Sequence, residues 1–139
     1  MSIQSNTSSP MSHLARLRSK EDGTATMEFV LWLPIMAFLF AIVADTAMIF
    51  GGQAQVLRVV QDANRAMSIG RVRTIDATQG LILSGIANIA PNATVVTTVS
   101  GGLISSTVMI PVTDLTATGL VDSFTDFEVA VYAQHLAES

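Results

Sequence analysis

EFVLWLPIMAFLFAIVAD, residues 28–45, is the stretch that decides how this chain folds. Two carboxylates bracket an uncharged run, Phe29 to Ala44. As a helix that run rises only about 24 Å, short of the roughly 30 Å hydrocarbon core of a bilayer. A crossing helix must therefore extend backwards through Glu28 or forwards through Asp45 into Thr46–Phe50. An ionised acid costs about 2.5–3.5 kcal/mol at the centre of a span and less near its edge. A neutral residue would remove that cost, so Glu28 and Asp45 are candidate functional residues. A cleaved secretory signal fits poorly, because its apolar region is about 7–15 residues long and ends at a small-x-small site. A soluble core helix fits less well still, because the run is apolar on every face.

Outside this stretch the composition rules out several classes. The chain has 139 residues, half of them hydrophobic, 13% charged, with a net charge of −4. No stripe of Lys or Arg offers a surface to phosphates, so no nucleic-acid partner is expected. There is no cysteine, and the two histidines, His13 and His135, lie far apart, so neither thiolate chemistry nor a metal site is expected. No Ser–His–Asp spacing or glycine elbow accompanies the many Ser and Thr after residue 92. We therefore expect no enzyme, no cofactor and no small-molecule substrate.

The chain divides into three zones. Residues 1–23 open with a Ser-rich tail expected to be disordered and continue through Arg16, Arg18 and Lys20 to Glu21 and Asp22. Residues 24–69 read as one long helix. Past Gly51-Gly52, the positions Val56, Val59, Val60, Ala63 and Met67 recur at helical spacing, with Gln55, Arg58, Gln61, Asp62 and Arg65 between them. The apolar helix thus runs on into an amphipathic stem. Pro34 should kink it by removing a backbone bond, and the glycine pair offers a second flexible point. Arg65, Arg71 and Arg73 read as a solvated face. Trp32 reads as a lipid- or helix-facing anchor.

Residues 70–139 form a small head. Gly70 stops the stem, Thr74 is a candidate N-cap for a helix over 75–90, and Pro91 ends that helix. ATVVTTVS and LISSTVMIPV flank Gly101-Gly102, the signature of a hairpin. A Thr-rich connection over 113–125 carries no clear pattern. In FEVAVYAQHL, Phe127, Val129 and Val131 alternate with Glu128, Ala130 and Tyr132, which predicts a third strand. The expected fold is α+β: a long N-terminal transmembrane and stem helix, then a head with one short helix and about three antiparallel strands.

A basic leader, Gly23, an acid five residues on, an apolar helix and a small β-rich head together resemble the prepilins of the type IV filament superfamily. GTATMEFVLWLP, residues 23–34, is similar to the start of the TadE/TadG-like minor pilins, or pseudopilins, of the Tad (Flp) pilus. The resemblance covers roughly residues 16–65. It implies cleavage between Gly23 and Thr24 by a prepilin peptidase, after a leader that runs from Met1 or, with initiation at Met11, from there. It implies that Glu28, followed by Phe29, pairs with the new N-terminus of a neighbouring subunit and sets assembly register. Asp45 is either an intramembrane pairing residue for a cation on a partner helix or the outer edge of the span.

The positive charges on the two sides of the run nearly balance, so orientation also comes from the resemblance. The N-terminus lies in the cytoplasm of a bacterium, the helix crosses the inner membrane, and the head is periplasmic or extracellular. Implied partners are the membrane, the peptidase, other minor pilins, the major Flp pilin and the inner-membrane assembly platform. Adhesion, surface attachment or biofilm formation would be the outcome. The alternative is an uncleaved, single-span membrane-anchored binding or adhesion protein in which Glu28 is incidental.

Overall fold

A computed structural model of the protein describes residues 11–124 and 127–138, with side chains from Gly23 onward. The expected disordered tail lies largely outside these residues. Two compact units are present, Met1–Phe40 and Ala41–Ser139. The element order is α1 (Met11–Ser68), α2 (Ile75–Ile86), β1 (Thr94–Ser100), β2 (Leu103–Pro111), a short 3₁₀ turn (Val112–Asp114) and β3 (Glu128–Leu136). The expected α+β fold is present: a long apolar N-terminal helix, one further helix and a three-stranded antiparallel sheet.

In the first unit, every position from Gly23 to Phe40 is exposed, including Phe29, Leu31, Trp32 and Phe40. None of these described positions is buried. Helix α1 begins at Met11, earlier than the expected Thr24, because no proline interrupts 11–23 and Gly23 alone does not break a helix. Pro34 sits within α1, which is helical on both sides of it.

In the second unit the stem buries one stripe. Gly52, Val56, Val60, Ala63, Asn64 and Ser68 are buried, while Gln55, Arg58, Gln61, Asp62 and Arg65 are exposed. That spacing keeps one face inward. Gly70 adopts φ 71°. The Gly70 N–H donates to Met67 O and the Arg71 N–H to Ala66 O, the paired bonds of a Schellman cap. Thr74 caps α2, its hydroxyl oxygen accepting from the Ala77 N–H at 3.2 Å. Helix α2 ends at Ile86 rather than at 90. Both Ile89 and Ala90 donate to Ile86 O, a tightened last turn imposed by Pro91, which disfavours helical backbone in the residue before it.

The sheet order is β1-β2-β3, antiparallel throughout. Gly101 and Gly102, at φ 58° and 78°, form the two-residue turn between paired Ser100 and Leu103, the positive-φ pair that tight hairpins need. Strand alternation turns Ile104, Val108 and Ile110 inward from β2, and Val129, Val131 and Ala133 from β3. They meet Val56, Val60, Ile82 and Ile86 from the helices. Each fully buried Ile or Val stabilises the fold by about 1.5–3 kcal/mol.

One polar cluster crosses this core. Ser106 Oγ donates to Asn64 Oδ1 at 2.6 Å, Thr97 and Ser106 hydroxyls bond at 2.9 Å, and Asn64 Nδ2 donates to Ala133 O at 3.1 Å. A single stem residue is thereby tied to all three strands. Since a one-residue slip in any strand would break the set, the cluster holds the register.

Candidate functional site

Two places stand out: the segment from Gly23 to Pro34, and the stem residue Asp45. In the first, Gly23 has open space where a Cβ would stand, and Thr24, Glu28 and Phe29 are all exposed, Phe29 at 66%. Helical spacing puts Glu28 one turn beyond Thr24 on the same face. The side chains of Arg16, Arg18 and Lys20 lie outside the described residues, though their backbone belongs to α1.

Asp45 follows the last residue of the uncharged run, yet it is fully buried. The backbone from 116 to 121 wraps it. Oδ1 accepts from the N–H groups of Ala117 at 3.0 Å and Thr118 at 2.7 Å. Oδ2 accepts from the Thr118 hydroxyl at 2.7 Å, the Leu120 N–H at 3.1 Å and the Val121 N–H at 3.4 Å. Gly119, at φ 71°, lets the chain turn back on itself and aim these donors at one point. Burial raises the carboxyl pKa, and the bonds from Thr118, Val121 and Ala117 outweigh it, lowering the value from 3.8 to about 2. The group is therefore an anion solvated by backbone dipoles.

The loop is braced on both sides. The Thr116 hydroxyl donates to Asp122 at 2.8 Å. Asp114 accepts from the backbone and side-chain nitrogens of Asn92 at 2.8 and 2.9 Å. Leu115 is buried against Gly52, where an added Cβ would stand 2.5 Å from Leu115 Cδ2. Gly52 thus lets the 3₁₀ turn approach the stem, a packing duty the sequence reading did not anticipate. Among the described residues no three His, Cys, Asp or Glu side chains converge.

The TadE-like protein family model matches residues 23–65. Over these residues the chain is similar to that family. No curated protein and no solved structure matches the chain. The TadE-like segment starts at the candidate cleavage glycine and contains Glu28, Pro34, Asp45, Gly52 and Asn64. Its helix is long and apolar enough to cross a membrane, compatible with a membrane anchor. The loop that binds Asp45 and the strands tied to Asn64 lie beyond the match. Sequence reasoning found Asp45 but not its partners. The only local signal for them was Thr-Ala-Thr-Gly at 116–119, small residues and a glycine where backbone must be exposed to an anion.

Proposed function

We propose that the chain is a minor pilin that takes part in assembling a Tad (Flp) pilus. A peptidase cuts between Gly23 and Thr24, and the new ammonium, with a reference pKa near 8, is charged at neutral pH. Glu28 pairs with the corresponding ammonium of a neighbour as apolar helices bundle. A buried pair of this kind fixes register more than it adds stability. The observation that carries the reading is the TadE-like match beginning at Gly23, joined to an apolar helix exposed from Gly23 to Phe40.

Asp45 supports one placement of the span. Irregular backbone exposed to lipid is not tolerated within the hydrocarbon region, and the loop over 116–121 surrounds Asp45. The span therefore ends at Ala44 and extends backwards through Glu28 to Gly23, a rise of about 33 Å. The leader with Arg16, Arg18 and Lys20 then lies in the cytoplasm, and the head lies outside the inner membrane, where it contacts other pilins on the assembly platform. Attachment to surfaces would follow from the assembled fibre, and the chain itself has no enzymatic part.

Mass spectrometry of the intact protein from host membranes containing the pilus peptidase tests the reading. A mature chain beginning at Thr24 is expected. Retention of the basic leader refutes it and leaves a tethered single-span domain.

A further inference from the structure

The three-stranded sheet lays one face on the stem and turns the other outward. Val108, Ile110 and Val131 on the inner face share a core with Val56 and Val60. The outer face runs in register across the strands, from Thr94, Met109 and Ala130 at one end to Ser100, Leu103 and Leu136 at the other. No residue of this face between those two rows, or within them, carries a charge. At its centre Val96 and Tyr132, 58% and 53% exposed, flank Thr107. An antiparallel face that meets water is ordinarily polar. The exposed side of the stem follows that rule with Arg58, Asp62 and Arg65, and the sheet does not. Part of what polarity the face has is satisfied internally, since Gln134 Nε2 donates to Ser105 Oγ at 3.3 Å.

Area and placement together narrow what covers this face. Strands of up to nine residues give a sheet of about 14 by 30 Å, or roughly 400 Å². Two such faces amount to about 800 Å², below the roughly 1,200–2,000 Å² of specific, stable complexes. A partner free in solution would bind weakly here. With the span ending at Ala44 and the stem rising from it, the outer face points sideways, along the plane of the membrane. A second copy in the same bilayer is already held at a high effective concentration, which makes up for a small contact. Its own face is equally uncharged, so neither copy buries an unpaired ion.

We propose that the outer face of the sheet, centred on Thr107, joins two copies of this chain standing side by side in the membrane, packed sheet to sheet. A two-fold axis along the membrane normal keeps both copies upright and sets each residue at one height in the two. Thr107, in the middle of the central strand, then faces its own counterpart. Strand β1 of each copy faces β3 of the other, which brings Val96 towards Tyr132. Packed sheets stand about 10 Å apart, a gap that side chains of this size fill. The contact is isologous and closes as a dimer. This inference rests on the membrane placement in the pilin reading and adds a partner to it.

The chain has no cysteine, so single replacements report the contact in host membranes. A short bismaleimide crosslinker should convert Thr107→Cys to a species of twice the chain mass and nothing larger. Val96→Cys and Tyr132→Cys alter exposed side chains; co-expressed with different tags, they should crosslink to each other more than either does to itself. Adding Tyr132→Lys to Thr107→Cys buries an unpaired ammonium and should reduce the dimer about tenfold or more. Tyr132→Phe should retain it, and Gln55→Lys, on the exposed side of the stem, should leave it unchanged. No dimer from Thr107→Cys, an adduct of any other mass, or equal loss with Gln55→Lys overturns the contact, as does a yield insensitive to Tyr132→Lys. Crosslinking of Val96→Cys to Tyr132→Cys without that of Thr107→Cys indicates pairing of the open strand edges instead, and overturns it too. N-terminal mass on the same sample separates the two claims. A chain starting at Thr24 without the dimer overturns the contact alone, whereas a dimer that retains its leader overturns the pilin reading alone.

Discussion

The adjacent glycines of the stem should respond to the same substitution in opposite directions. Gly51 is exposed, with nothing within 4 Å of the place a Cβ would take. Gly51→Ala therefore contributes the difference in helix propensity, about 0.8–1 kcal/mol, without a clash. For a folded unit of this size that raises Tm by about 4–8 °C. Gly52→Ala has the same intrinsic gain but puts the methyl 2.5 Å from Leu115 Cδ2, 3.6 Å from Leu115 Cγ and 3.8 Å from Ile89 Cγ2. Leu115 is only 3% exposed, so it has little room to retreat. Overpacking of this kind costs about 1–3 kcal/mol, leaving a net loss of about 1 kcal/mol and a Tm lower by about 4–8 °C. Thermal unfolding of the full chain in detergent, followed by circular dichroism, measures both. If Gly52→Ala stabilises as much as Gly51→Ala, the close approach of the 3₁₀ turn to the stem is wrong. A double-mutant cycle with Leu115→Ala adds a second reading, since contacting residues couple and distant ones do not.

Three further outcomes are expected. Glu28→Val should insert into membranes at the wild-type level while pilus number falls about tenfold or more; electron microscopy showing normal piliation would remove the register role. In Asp45→Asn, the amides of Ala117, Thr118, Leu120 and Val121 should exchange hydrogen about tenfold faster or more, as the loop opens locally, and unchanged protection would refute the clasp. Because the folded-state pKa of Asp45 lies below its ordinary value, its contribution is complete above pH 3.8 and is lost as pH falls towards about 2. The stability gap between wild type and Asp45→Asn should close over that window, which urea unfolding at successive pH values would show. Ser106→Ala strands Asn64 Oδ1 without its donor and should cost about 1–3 kcal/mol, read as a lower urea midpoint with an unchanged slope.

What the sequence made legible was local. The uncharged run, the stem periodicity ending at Gly70, the Thr74 cap and the Gly-Gly hairpin each depend on residues a few positions apart. The alternation in β3 was also readable, although it is Ala133 rather than Phe127 that joins Val129 and Val131 inside. Phe127 precedes the strand and is 42% exposed. The Asp45 site was half legible: an acid at the edge of an apolar run signals a cost, but its partners, four backbone N–H groups and the Thr118 hydroxyl, lie more than seventy residues away. Backbone donors leave no mark of residue type, and the connection over 113–125 has no period to betray its wrap. The packing role of Gly52 was hidden for a related reason. A glycine in a helix reads as flexibility until the neighbour that occupies its missing methyl is known.

The Asp45 clasp governs where the head can be severed from its anchor for biochemical work. A secreted version beginning at Ala41 retains the anion around which residues 116–121 coil. One trimmed to the glycine pair instead leaves that loop with four backbone N–H groups and a hydroxyl and no acceptor. Such a fragment would keep its sheet yet lose the shape of its lower rim, so an antibody or binding partner selected against it would meet a surface the intact protein does not display.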